Sequence, residues 1–331
     1  MAAHTFSGYP RGWFAVCFSD ELTVGKSLPL RYFGQDLVAF RGEDGVAHVL
    51  EAYCAHMGAH LGVGGKVEGC TLRCPFHGWR YDGSGACVEI PYAKKIPPKA
   101  KQQAWRVHEI NGHVLVHHDA EGQPPAYEIP PIPEYGSDDW LPWTTSRYHI
   151  KTHPREIVDN LADKAHFAFV HNTAIDDFGF DVAGHTATQH VKGRAFLADG
   201  KVDQFASTTT YHGPGYLLMR MDGLLKNYML FTHTPIDENS LDLRLAVTLK
   251  VVGDRKRTEG YVAGYLDNLR RGFEDDIKIW EAKIYRDPAV LCDGDGPIGA
   301  LRKWYRQFYT AAAAAGGATH AGSLPVVAAE S

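Results

Sequence analysis

Cys54-Ala-His56 and Cys74-Pro-Phe-His77 each put one thiol and one imidazole on a short stretch of chain, with seventeen residues between His56 and Cys74. Two thiolates and two neutral imidazoles suit either a tetrahedral zinc ion or a two-iron, two-sulfide cluster. Zinc sites usually space the members of each ligand pair by two or more residues, and the single residue between Cys54 and His56 departs from that habit. Gly58 and Gly78 follow the two pairs, where the lack of a side chain relieves crowding beside a bulky inorganic group.

A second set lies about ninety residues further on, in Asp159-Asn160-Leu-Ala-Asp163-Lys-Ala-His166-Phe-Ala-Phe-Val-His171. Asn160, Asp163 and His166 recur every three residues, roughly one helical face. His171 follows His166 by five residues, which on an ideal helix is a rotation of about 140°, so both imidazoles reach one ion only if the helix ends or distorts near Phe169. A carboxylate must come from another element, and Phe273-Glu-Asp-Asp276-Ile-Lys-Ile-Trp280 offers several. Two histidines and one carboxylate leave open positions on Fe(II) at which dioxygen can bind.

The elements that must hold these sets differ along the chain. From Trp13 to about His118, short β-branched and aromatic runs alternate with Gly/Asp turns, which predicts a small all-β domain over residues 10–120. Prolines at 124, 125, 130, 131, 133 and 142 favour extended backbone and predict a linker at 121–143. A catalytic domain is expected over 144–310, opening with a helix from about Arg155 to Val170, with Pro154 in its first turn. Segments near His185–Val191, Phe205–His212, Gly215–Met221, Asn227–Thr234 and Leu241–Val252 read as antiparallel strands with one buried face. A second helix is expected from about Gly260 to Tyr285, its Tyr265, Leu269, Phe273, Ile277 and Trp280 packing on the sheet. The Ala/Gly-rich residues 311–331 are expected to be disordered. The fold class is therefore α+β.

Composition narrows the function. The 331 residues, 44% hydrophobic and 22% charged, suit a two-domain globular protein. A net charge of −5 offers no basic excess for nucleic acid. No apolar run approaches the roughly eighteen residues of a membrane span, and Met1–Pro10 lacks a secretory pattern, so the cytoplasm is the expected location. The six cysteines, at 17, 54, 70, 74, 87 and 292, then read as ligands and buried thiols, with Cys17, Cys70 and Cys87 as packing residues. His117, His118, His149 and His212 sit singly in strand-like runs and are read as structural or solvent-facing. Gly62-Val-Gly-Gly65 lacks the strand-turn-helix setting of a dinucleotide site. Tyr216, Leu218, Met219, Met229 and Phe231 are candidates for an apolar pocket, or for plain core.

The run Cys-Pro-Phe-His-Gly-Trp-Arg-Tyr-Asp at 74–82, with Cys54-Ala-His56, resembles the Rieske motif. Ala59 and Phe76 stand where respiratory Rieske proteins carry two further cysteines, so the likeness is to the oxygenase type. With Asp-Asn-Leu-Ala-Asp-Lys-Ala-His-Phe at 159–167, the Asp276–Trp280 run, and segments 291–298 and 301–309, the chain resembles Rieske non-haem iron oxygenase α subunits. Within them it is most similar to 3-ketosteroid 9α-hydroxylase-like, sterol-processing members.

That resemblance implies an N-terminal Rieske domain and a C-terminal helix-grip (START-like) antiparallel sheet with long helices. It implies a [2Fe–2S] cluster on Cys54, His56, Cys74 and His77, and a mononuclear Fe(II) on His166, His171 and Asp276, with Asp275 as the alternative carboxylate. Dioxygen would be the co-substrate. Asp163 would bridge His166 to the cluster ligand His77 of an adjacent chain in a head-to-tail homotrimer, and Asn160 would line the iron pocket without binding metal. The implied activity is that of a terminal oxygenase, fed by a ferredoxin and an NAD(P)H-dependent ferredoxin reductase, that monooxygenates an apolar ring substrate such as a steroid. The rival readings are an arene-dihydroxylating dioxygenase and, in a different class, a Rieske electron carrier.

Overall fold

A computed structural model describes residues 8–196, 200–223 and 225–309 of the chain. The expected disorder of 311–331 falls outside them.

The N-terminal half contains ten strands: β1 (Gly12–Phe18), β2 (Ser27–Tyr32), β3 (Gln35–Arg41), β4 (Ala47–Glu51), β5 (Lys66–Glu68), β6 (Thr71–Arg73), β7 (Arg80–Asp82), β8 (Cys87–Glu89), β9 (Arg106–Ile110) and β10 (His113–His118). They form three antiparallel sheets, β1-β10-β9, β2-β3-β4 and β5-β6-β7-β8. β3 shows how these stack. Its Leu37 and Ala39 pack with Phe14, Val16 and Val114 of the first sheet, while Val38 and Phe40 pack with Leu72, Trp79 and Tyr81 beneath the two Cys/His loops. Alternate side chains of one strand thus serve two cores, which is why Leu-Val-Ala-Phe has no polar position.

The C-terminal half follows as β11 (Thr144–Ile150), α1 (Pro154–Asp159), α2 (His166–Phe169), β12 (Thr173–Ala183), β13 (Thr186–Phe196), β14 (Val202–His212), β15 (Tyr216–Asp222), β16 (Asn227–Asp237), β17 (Ser240–Leu249), α3 (Arg255–Ala282) and α4 (Ile298–Arg306). One seven-stranded antiparallel sheet runs β11-β17-β16-β15-β14-β13-β12. The long helix α3 lies across it as expected, with Tyr265, Leu269, Phe273, Ile277 and Trp280 against Leu243, Leu245, Val247 and Leu249. α3 begins earlier than expected, because Asp254 caps it by accepting the Lys256 amide.

Two further strands join the five that were expected. β11 is polar and pairs along β17 at the sheet's edge. β12 has its alternation shifted by a bulge between Ile175 and Asp177. The single helix expected over 155–170 is instead broken after Asp159. The Asn160, Leu161 and Ala162 amides bond three residues back, and the Leu161 carbonyl accepts from the Gln189 side chain of β13 at 2.7 Å, so it no longer serves the helix.

The proline-rich segment between the halves forms no helix or regular strand. Its Ile129, Ile132 and Trp140 are buried with Trp13 and Ala15 of β1 and with Leu218, Tyr228 and Leu230 of the large sheet. A charged contact joins the same surfaces. Arg244 of β17, fully buried, donates to the Ala15 and Val16 carbonyls at 3.1 and 2.7 Å and to the Tyr32 hydroxyl at 2.6 Å. Tyr32 in turn donates to Asp242 at 2.7 Å, and Arg147 closes the network on the same carboxylate.

Candidate metal centres

The two Cys/His loops are built alike. In the first, the Cys54 amide bonds to the Ala59 carbonyl at 2.9 Å and the Gly58 amide to the Cys54 carbonyl at 2.9 Å. In the second, Cys74 bonds to Trp79 at 2.7 Å and Gly78 to Cys74 at 3.2 Å. Gly58 and Gly78 both hold φ +73°, a left-handed turn that favours glycine. The His56 and His77 rings face each other across the loops, 4.7 Å apart and at 73°, and His56 stacks on Trp79 at 4.6 Å.

These residues fit a Rieske cluster on their own evidence. Cys54 and Cys74 are buried and free of any disulfide. The Nδ1 atom of His56 is buried with no hydrogen-bond partner, which is costly unless something else binds it. Tyr81 approaches the Cys54 sulfur at 3.1 Å. Burial, and then its contact with Cys54, push the Tyr81 phenol above its usual value, so it stays a donor. Tyr81 stood in the sequence only as part of the motif. Its inward direction follows from β7, whose Arg80 points outward into bonds with Thr71 and Glu89. Cys17 and Cys87 are buried as expected, but Cys70 is exposed in the turn between β5 and β6 and is not a packing residue.

The second set converges on one point. One ligand atom each from His166, His171 and Asp276 lie within 4.8 Å of one another. The His171 Nε2 is 3.3 Å from an Asp276 carboxylate oxygen, and the two imidazole rings are 5.1 Å apart at 80°. α2 ends at Phe169, so the chain turns between the two histidines as the spacing required. Asp276 is only 6% exposed, on the face of α3 that also carries Phe273 and Trp280. Asp275 points outward to Lys278 at 2.8 Å and takes no part. A buried carboxylate and two imidazoles in mutual reach fit a divalent cation, since the carboxylate needs a positive partner.

Asn160 and Asp163 flank this group. The Asn160 amide nitrogen lies 3.4 Å from His166 Nε2. His166 Nδ1 donates to the backbone carbonyl of Asp163 at 2.7 Å, and the Asp163 carboxylate instead accepts the backbone amide of His166 at 3.2 Å, standing 3.8 Å from the ring. Burial raises the Asp163 carboxyl, but bonds from His166 and neighbouring amides outweigh it, and the group titrates below its usual value. Among the described residues of one chain, no hydrogen bond joins Asp163 to His77. His117, His118, His149 and His212 lie on strands outside both groups.

The five apolar candidates divide between the sheet's two faces. Met219, Met229 and Phe231 face α3, while Tyr216 and Leu218 face the linker and β1. A single pocket formed by all five is excluded by the two-residue alternation of β15. A cavity of about 420 Å³ is bordered by Phe18, Tyr135, Trp143 and Arg255 and includes none of the residues of either candidate set.

Residues 12–105 match the family described as Rieske [2Fe-2S] domain, and residues 116–309 match 3-Ketosteroid 9alpha-hydroxylase C-terminal domain. A 3-ketosteroid-9-alpha-monooxygenase, oxygenase component, of Rhodococcus rhodochrous is 37% identical over 326 residues, covering 93% of this chain and 83% of that one. Its counterpart in Mycobacterium tuberculosis is 34% identical over 318 residues, covering 91% and 82%. Cholesterol 7-desaturase nvd 1 of Ciona intestinalis is 31% identical over 332 residues, covering 91% and 69%. Among solved structures, dicamba monooxygenase bound to dicamba superposes with a TM-score of 0.76 at 18% identity, over 93% of this chain and 98% of that one, a likeness of fold.

Proposed function

The chain belongs to the Rieske non-haem iron oxygenases with a 3-ketosteroid 9α-hydroxylase-type catalytic domain, and on that premise we propose a steroid nucleus as its substrate and Cys54, His56, Cys74, His77, His166, His171 and Asp276 as its iron ligands. It is the oxygenase component of a multicomponent monooxygenase. When bound, the [2Fe–2S] cluster supplies single electrons and the ferrous ion supplies oxygen activation beside the substrate. The observation that carries the reading is the convergence of His166, His171 and Asp276.

The protein's own residues then have distinct tasks. The bond from His166 Nδ1 to the Asp163 carbonyl fixes the ring tautomer and leaves Nε2 for the metal. Asn160 presents its amide to the same point without being needed as a ligand. Met219, Met229, Phe231 and Phe273, on the Asp276 side of the sheet, make an apolar wall that excludes water and suits a rigid hydrocarbon ring system. The named relatives act on a 3-ketosteroid and on cholesterol, which share such a nucleus.

In this reading the electrons come from a ferredoxin and an NAD(P)H-dependent ferredoxin reductase. The protein forms a head-to-tail homotrimer in the cytoplasm, with His77 of one chain facing Asp163 of the next. Exposed Met57 and Phe76 beside the cluster loops, and Phe169, 90% exposed between the two metal-site histidines, support two unlike faces that meet between copies. No helix among the described residues is long and apolar enough to cross a membrane.

The test is oxygen consumption by the reconstituted system with a panel of 3-ketosteroids and a panel of small arenes. The reading expects 3-ketosteroids to accelerate it, with one hydroxyl gained per oxygen consumed. Acceleration by arenes alone, with cis-diol products, would replace it by the dihydroxylating alternative.

A further inference from the structure

Residues 91–101 close over the cluster loops and carry charges that neither metal centre uses. Tyr92 accepts a hydrogen bond from the Trp79 indole at 2.8 Å, and Trp79 is the ring stacked on His56. The Tyr92 ring also lies 6.5 Å from that of His77. A side chain at Gly78 would meet Pro91 at 3.2 Å, so the chain passes close to the second loop as well. The segment therefore starts, at Pro91 and Tyr92, against the second loop and the Trp79 ring that stacks on His56.

Lys94, Lys95, Lys99 and Lys101 of this segment are all exposed, and among the described residues no carboxylate lies within ion-pair distance of any of them. The nearby acids are already committed, Glu68 to Arg73 at 3.0 Å and Glu89 to Arg80 at 2.7 Å. Residues 66–101 hold seven Lys and Arg against three Asp and Glu, within a chain whose net charge is −5. Pro97 and Pro98 restrict the backbone of a tight turn that presents Lys99, closed by the Ala100 amide on the Pro97 carbonyl at 2.9 Å. Concentrating like charge at one place on an acidic protein repels and destabilises locally, and it raises the local concentration of an oppositely charged partner.

We propose that the lysine segment 94–101 is the docking footprint of an acidic one-electron donor protein, which reduces the cluster from the side of Trp79 and His56 and leaves His77 to face the next chain. The donor is a ferredoxin-class carrier that loses one electron as the cluster gains one, with no bond made or broken. This rests on the reading above that an external carrier feeds the cluster, and adds where it binds and what charge it must have. Steering of this kind governs encounter rate more than final affinity.

The experiment compares the full-length native protein with Lys94→Glu/Lys95→Glu/Lys99→Glu. Bleaching of the cluster is followed by stopped flow, using a reduced acidic plant-type [2Fe–2S] ferredoxin and, separately, reduced methyl viologen, a small cation. The ferredoxin rate constant should fall by about tenfold or more at low ionic strength and lose most of its salt dependence. The viologen rate should not fall, and the elution volume on gel filtration should not change. The neutral Lys94→Gln/Lys95→Gln/Lys99→Gln variant should lie between. Salt-dependent binding of the ferredoxin to immobilised protein should weaken in parallel.

Ferredoxin reduction as fast and as salt-dependent as in the native protein would overturn the proposal while leaving the oxygenase reading intact. Loss of the native assembly together with the slowed rate would also overturn it, assigning the lysines to a second copy of the chain. Failure of the native cluster to accept electrons from any ferredoxin would remove both readings.

Discussion

His166 donates its Nδ1 proton to the backbone carbonyl of Asp163 at 2.7 Å, while the Asp163 carboxylate holds the His166 amide at the start of α2. The tautomer is thus set by backbone, and the side chain is left to hold the turn and, in the proposed trimer, to meet a second chain. In Asp163→Ala the mononuclear iron should be retained, while substrate-coupled turnover falls about 10- to 100-fold. Metal analysis beside steady-state kinetics checks this, and normal turnover would remove Asp163 from the relay.

Tyr81 stands 3.1 Å from the Cys54 sulfur. A hydrogen bond to a cluster thiolate stabilises the reduced, more negative state and raises the potential. Tyr81→Phe should lower it on the order of 50 mV, the equivalent of roughly 1 kcal/mol in a one-electron couple. Redox titration of the visible spectrum reads it, and an unchanged potential would show that the hydroxyl does not bond to the sulfur.

Arg244 ties the two halves together through Ala15, Val16 and Tyr32. Arg244→Met leaves two carbonyls and the Tyr32 hydroxyl without that donor and removes the buried cation 3.9 Å from Asp242, and should cost about 3–5 kcal/mol in denaturant unfolding. Arg194→Ala, which removes the exposed pair with Asp176, should leave the unfolding midpoint where it is. Equal effects of the two changes would contradict the structural role given to Arg244.

Burial pushes His113 and His212 down to about 4 and His233 to about 3. Their imidazoles stay neutral in the folded protein, whereas in the unfolded chain they bind protons below about pH 6.5. Their contribution is complete above that pH and is lost as pH falls toward 4, with uptake of about three protons on unfolding. The pH dependence of the denaturation midpoint measures this, and His212→Asn should lower the slope by about one proton. A midpoint independent of pH between 6.5 and 4 would contradict the burial of these rings.

The parts of the fold that depend on local pattern were legible in the sequence. The cysteine and histidine spacing, the apolar period of α3 and the alternation of β13 to β17 all follow from residues within a few positions of each other. Long-range partners decided the rest. The break after Asp159 depends on Gln189, a residue two strands away that takes the Leu161 carbonyl. β12 was hidden by its bulge and by Asp176 and Asp177, which face solvent at the sheet's edge. The role of Tyr92 depends on a bond to Trp79 across a loop. The split of Tyr216 and Leu218 from Met219 follows from strand alternation, but which face meets α3 depends on tertiary packing. In sequence Asp276 was preferred to Asp275 by resemblance alone; in the fold the Asp276 carboxylate turns toward His171 and that of Asp275 toward Lys278.

The central claim, that one chain builds two separate iron sites, is tested most directly by counting iron after anaerobic reconstitution. Native protein and Asp275→Ala should hold about three irons per chain, and Asp276→Ala about two, with the cluster's visible spectrum unchanged in all three. A coloured native protein that never exceeds two irons, or an Asp276→Ala variant that keeps the third, would contradict the account.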